Sequence, residues 1–235
     1  MTIDYAGARY APRQELIDAH ADAWRLIGHA GTWWRGEERR AMVAEARHAL
    51  NCSLCAQRKH ALSPGQVSGA HDTATPLSDP VIDTIHRIVT DPGRLTRAWF
   101  DGIIAAGVPT THYVEIVSVV ATSIIIDTMH RALGLDSPPL PAAIAGEPAR
   151  SVETDLVDDG AWVPLKRRAD ASATATKLPA DPNIRRAMSM VASAPLLFFR
   201  AFMPHYRLQG LQFAITQGQA EFTASRVSAL NQCFY

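Results

Sequence analysis

The chain has 235 residues, 47 % of them apolar, which is enough to bury one sizeable core or two small ones. Lys and Arg number 23, as do Asp and Glu, so the net charge is zero. A nucleic-acid protein usually carries a basic excess, so this balance speaks against one, and the short run Lys166-Arg167-Arg168 reads as a solvated loop.

The elements read as helices parted by Pro and Gly. Residues 13–28 place Leu16, His20, Ala23, Trp24 and Ile27 at helical spacing. Residues 37–50 open after Gly36 with Glu37-Glu38, acids suited to a helix N-terminus. A short helix over 53–62 ends at Ser63-Pro64-Gly65. Ser78-Asp79-Pro80 is a strong start signal for a helix to about Thr90. Residues 94–106 form the next, closed by Gly107. Thr110 or Thr111 is expected to cap a long buried helix ending at Leu133-Gly134.

The apolar run Val114–Ile126 inside that helix is shorter than the ~20 residues a bilayer span needs. Residues 136–182 are rich in proline, lack a helical period and read as a long extended connection around the helical body. Helices resume at about 183–191, 194–208 and 215–231. The fold class is therefore all-α, with an N-terminal unit over 1–135, a Pro-rich connection over 136–182 and a C-terminal helical unit over 183–235. The first fifteen residues hold Asp, Arg and Glu and no apolar core, so no secretory leader is expected and the protein reads as cytoplasmic.

Three cysteines are not a disulfide scaffold. Two of them close the stretch "HALNCSLC", residues 48–55, and the third lies in "SALNQCFY", residues 228–235. Both stretches run Ala-Leu-Asn and then reach a cysteine. Asn tolerates the left-handed backbone that helix ends often use, so the chain is expected to turn there and begin a new helix at Cys52-x-x-Cys55. The free N–H groups and dipole of that N-terminus favour a thiolate. A second thiol nearby can resolve an oxidised or mixed species, so the design reads as thiol redox chemistry.

A proton relay across such a hairpin calls for an acid about twelve residues before the first Cys and a partner about seven after it. Glu221 lies twelve before Cys233. In the first copy that position is Arg40, with Glu38 and Glu45 as the nearby acids, and His60 stands one place beyond the expected partner. Asp127 and His130 follow Glu115 by twelve and fifteen residues, which suggests a third, degenerate copy, or polar groups at the ends of a buried helix together with His112. A zinc site is the other reading of Cys52 and Cys55, with His60, His71 and Asp72 as the available partners. Trp33-Trp34 and Leu196-Leu197-Phe198-Phe199 read as core or oligomer interface.

"GEERRAMVAEARHALNCSLCAQRKHALSP" and "QAEFTASRVSALNQCFY" resemble the motif region of the AhpD-like alkylhydroperoxidase and carboxymuconolactone decarboxylase superfamily, and "HYVEIVSVVATSIIIDTMHRALG" resembles a helix these proteins carry after the motif. Over its full length the chain looks similar to the alkylhydroperoxidase-related (seleno)protein subgroup. The resemblance implies an all-helical homo-oligomer that reduces hydroperoxides and takes electrons from a dithiol reductant; sulfur chemistry that runs through a disulfide needs no organic cofactor and no metal, and the charge balance and short apolar run lead us to expect no nucleic acid and no membrane as partners.

It also implies roles. Cys55 attacks the peroxide, Cys52 resolves to a disulfide, and His60 relays protons. In the second copy Glu221 is the acid and Cys233 the resolving thiol, with the attacking position at 236. In the selenoprotein subgroup that position is selenocysteine, encoded by UGA, so the chain is expected to be a reading truncated within a second Cys-x-x-Cys or Cys-x-x-Sec motif. A non-catalytic helical scaffold and a decarboxylase-like acid–base enzyme are the competing classes.

Overall fold

The computed structural model describes residues 3–167, 183–206 and 214–230. Among them are nine α-helices and one small sheet: α1 Gln14–Ile27, α2 Gly36–Ala49, α3 Ser53–His60, α4 Asp79–Thr90, α5 Arg97–Ala105, α6 Thr110–Ala132, β1 Leu156–Val157, β2 Leu165–Lys166, α7 Asn183–Met188, α8 Ser193–Tyr206 and α9 Gln217–Leu230. The all-α expectation holds at this level. The strands form a two-residue antiparallel ladder, Leu156 opposite Lys166 and Val157 opposite Leu165.

The core is built around α6. Its Ile116, Val119, Val120 and Ile126 have no exposed surface, and it packs against α8, α2 and α4. At 23 residues α6 is long and apolar enough to cross a membrane, and half of its most apolar window is buried inside the fold. No Thr caps it: Pro109 occupies the N-cap position, where its fixed φ ends the preceding turn without a side-chain bond. α8 lies against both α1 and α6, and its Leu197 and Ala201 join the same apolar cluster as Trp24, Met42 and Ile85.

Proline keeps residues 136–155 out of helix, and the chain there runs extended along the α1–α2 loop. Ile144 N–H donates to the Gly28 carbonyl at 2.8 Å and Arg150 N–H to that of Thr32 at 2.8 Å. The approach is close enough to require glycine: a Cβ at Gly28 would stand 2.0 Å from the Ala142 carbonyl oxygen.

The helices that matter for the site are α2, α3 and α4. α2 and α4 pack together through Met42, Val43, Ala46, Val81 and Ile85. α3 returns from the end of α2 and touches α4. Between α3 and α4 the chain from Ala61 to Ser78 holds only the 3-10 turn Pro64–Gln66.

Candidate functional site

α2 ends at Ala49, and Asn51 N–H donates back to the His48 carbonyl at 2.9 Å. The expected left-handed Asn does not occur. Among the described residues the only non-glycine with positive φ is Arg150. The reversal is made instead by Cys52, which is extended at φ −70°, ψ 127° and serves as the N-cap of α3. Its carbonyl accepts the Ala56 N–H at 3.0 Å, the first bond of the new helix. Cys55 is one turn in. Both thiols are free and buried, with 1 % and 3 % of their surface exposed.

Two histidines meet them. His86, on α4, brings Nδ1 to 3.3 Å from Cys55 Sγ. His71, on the α3–α4 connection, brings Nδ1 to 3.5 Å from each sulfur. One ligand atom from each of these four side chains lies within 4.8 Å of all the others.

Each imidazole is held from behind by a carboxylate. His86 Nε2–H donates to Glu45 Oε1 at 2.8 Å. Glu45 is fixed in turn through its other oxygen by the Thr75 hydroxyl at 2.6 Å and the Ala74 N–H at 3.2 Å. His71 Nε2–H donates to Asp83 Oδ1 at 2.9 Å. Asp83 also accepts from Arg58 Nη1 at 2.6 Å and Trp99 Nε1 at 2.9 Å. Asp83 and His86 sit three residues apart on α4, so one helix face supplies one histidine and the carboxylate that holds the other. The connection that carries His71 is tied to α3, because Ser53 N–H and hydroxyl both donate to Asp72 Oδ2 at 2.8 Å.

The electrostatics follow from these bonds. Burial alone would raise Glu45, but Thr75, His86 and the Ala74 N–H together hold it below its ordinary range, so it is ionised. Burial lowers His86 more than Glu45 raises it, which keeps the ring neutral. With Nε2–H committed to Glu45, Nδ1 is left as an acceptor facing Cys55. His71 goes the other way. Burial depresses it, but Asp83 and the two sulfurs outweigh burial and bring it up to about 10. For Cys52, burial raises the thiol, while the Cys55 and Asp72 backbone N–H groups and His71 favour the thiolate and leave it below the ordinary value.

The residues singled out in the sequence divide clearly. Cys52 and Cys55 are central. His60 is exposed at the end of α3, outside the four-residue cluster, and its expected place beside the thiols is taken by His71 and His86. Arg40 is exposed, and Glu38 is used locally, accepting the Arg35 N–H at 2.8 Å. Glu45 is the acid of the site, seven residues before Cys52 rather than twelve. Glu221 is exposed on α9 and accepts from Gln217 Nε2 at 2.8 Å. Cys233 lies outside the described residues.

The polar groups of α6 do not converge. Glu115 accepts the Trp33 N–H at 2.7 Å and faces Arg39 Nε at 3.6 Å. Asp127 pairs with Arg47 at 2.8 and 2.9 Å, and His130 Nδ1 bonds the Ile126 carbonyl at 2.9 Å.

Comparison with protein-family models, curated proteins and solved structures found no match.

Proposed function

We propose that Cys52 and Cys55 form a thiol redox pair that reduces hydroperoxides, with Cys55 the attacking thiol. The observation that carries this reading is the buried line Glu45–His86–Cys55, 2.8 Å and then 3.3 Å, ending on a Cys-x-x-Cys at a helix start. The resemblance of residues 36–64 to an alkylhydroperoxidase motif region points the same way.

His86 Nδ1 accepts the Cys55 proton, and Glu45 stabilises the imidazolium that results. The Cys55 thiolate attacks the outer peroxide oxygen. The O–O bond breaks, the alkoxide takes a proton and leaves as the alcohol, and Cys55 becomes a sulfenic acid. Cys52, whose thiolate is favoured by its surroundings, attacks the Cys55 sulfur. Hydroxide leaves as water and the disulfide forms. A dithiol donor then returns both thiols to the reduced state. Hydroperoxide and dithiol are the partners this cycle requires, and no organic cofactor enters it.

The test is consumption of cumene hydroperoxide or hydrogen peroxide by reduced, chelator-treated protein with excess dithiothreitol. Cys55→Ser is expected to abolish turnover. After removal of the dithiothreitol, Cys52→Ser is expected to permit one oxidation and to leave a Cys55 sulfenic acid that dimedone traps. Equal activity in wild type and Cys55→Ser would refute the assignment.

A further inference from the structure

A dithiol needs one base, yet this pair faces two imidazoles. His71 stands at the same 3.5 Å from both sulfurs, and its distance to neither is the shorter. Each ring points Nδ1 inward and gives its Nε2–H to a carboxylate of its own, Glu45 or Asp83. Those carboxylates are themselves fixed by Thr75 and by Arg58 and Trp99. Backing of this kind orients imidazole ligands toward a metal. Zinc bound tetrahedrally, with Zn–S ~2.3 Å and Zn–N ~2.0–2.1 Å, sets its S and N ligands about 3.5 Å apart. Three of the four S···N separations are 3.5, 3.5 and 3.3 Å, and the fourth, Cys52 to His86, is within 4.8 Å. Two thiolates and two imidazoles are a donor set suited to Zn2+, and calcium or magnesium would call for oxygen donors.

We propose that Cys52, Cys55, His71 and His86 form a closed Cys2His2 site for Zn2+. Four protein ligands complete the tetrahedron, and all four side chains are buried or nearly so. No coordination position is left for a substrate, so the bound metal holds the α3–α4 connection in place and occupies the sulfurs. The site stands without the redox reading. Its regulatory consequence rests on that reading: zinc-bound thiolates are withheld from peroxide, and oxidation empties the site. In that step the two thiolates lose two electrons to the hydroperoxide and form the Cys52–Cys55 disulfide. The hydroperoxide takes up two protons and yields alcohol and water, and Zn2+ is released.

The experiment titrates reduced, metal-free full-length protein with Zn2+ against a chromogenic chelator. A parallel titration with Co2+ reads the ligand-field spectrum. One ion per chain and a tetrahedral S2N2 cobalt spectrum are expected, with affinity lowered 10–100-fold in Asp83→Asn, which leaves all four ligands in place. A protein with both thiols titratable and yet no stoichiometric uptake overturns the site. Unchanged affinity in Asp83→Asn overturns the role given to its carboxylate. Hydrogen peroxide added to the zinc-loaded protein is expected to release the metal in step with disulfide formation, and retention of zinc through oxidation overturns the coupling. Failed uptake with active metal-free thiols removes the zinc site alone. Zinc uptake with inert metal-free thiols removes the redox reading alone.

Discussion

Glu45 has no exposed surface, yet its environment favours the charged form. Burial of a carboxylate ordinarily favours the neutral acid. Three hydrogen bonds from Thr75, Ala74 and His86 reverse that preference, and the charge sets the tautomer of His86. Glu45→Gln keeps the shape and removes the charge. The amide no longer stabilises an imidazolium, so hydroperoxide reduction by the metal-free dithiol is expected to fall about 100-fold, within the range for general-base catalysis. The folded fraction by circular dichroism should change little. A variant as fast as wild type would show that His86 takes the proton unaided.

At the scale of elements, the site depends on a segment with little secondary structure of its own. Ala61–Ser78 delivers His71, Ala74 and Thr75, and it is tied to α3 by the Asp72–Ser53 pair and by Arg58 Nε, which donates to the Val67 carbonyl at 3.1 Å. Asp72→Ala removes two hydrogen bonds near the surface. Alkylation of Cys52 and Cys55 by iodoacetamide is expected to accelerate at least several-fold, because opening of this connection is the step that uncovers them. Unchanged alkylation would place the route to the sulfurs elsewhere.

The helices themselves were legible from sequence. Proline and glycine punctuate the chain at 64–65, 80, 92–93, 107 and 134. α4 opens at the mark at 80 and stops before the next, α5 and α6 each fall between neighbouring marks, and α3 ends just before the first. Cys52 and Cys55 were legible for the same local reason. Their partners were legible only in part: His71 stood among the zinc candidates and Glu45 among the nearby acids, but nothing local pointed to His86. The spacing argument looked for a histidine on α3, whereas His71 stands 19 residues beyond Cys52 and His86 stands 31 beyond Cys55. Glu45 reaches His86 across 41 residues of chain. Pairings this distant are set by how α2 packs on α4. A further sequence-level hint was His71-Asp72, six residues before the Ser78-Asp79-Pro80 start signal of α4, where a polar pair interrupts a connection of small residues.

At the scale of the whole molecule, α8 closes the fold against α1 and carries a second histidine cluster. His20 is fully buried on α1. Its Nδ1 meets the Tyr5 hydroxyl, and its Nε2 lies 2.7 Å from His205 Nε2 at the end of α8. Burial first, then His205 and His130, lower His20 to about 3. His205 is lowered too, by burial and then Arg13. In the unfolded chain both take up protons near pH 6.5.

Between about pH 6.5 and 3 the unfolded state therefore binds more protons than the native state, and stability falls as pH falls. For His20 alone the loss at pH 5 is on the order of 2 kcal/mol. Thermal unfolding followed from pH 7 to 5 should show this decline. His20→Gln should flatten it, even if it lowers the melting temperature at pH 7. An equal slope in both proteins would mean that other groups govern acid unfolding.

These scales meet at Cys55, where a local motif, a distant helix and a buried carboxylate come together, and the proposed redox chemistry rests on that convergence. The most direct measurement is peptide mass spectrometry of reduced, chelator-treated protein after one equivalent of hydroperoxide, timed against free cysteine. Oxidation should run well ahead of free cysteine and end in a single Cys52–Cys55 disulfide. Thiols that stay reduced while free cysteine is consumed would contradict a peroxide-reducing pair.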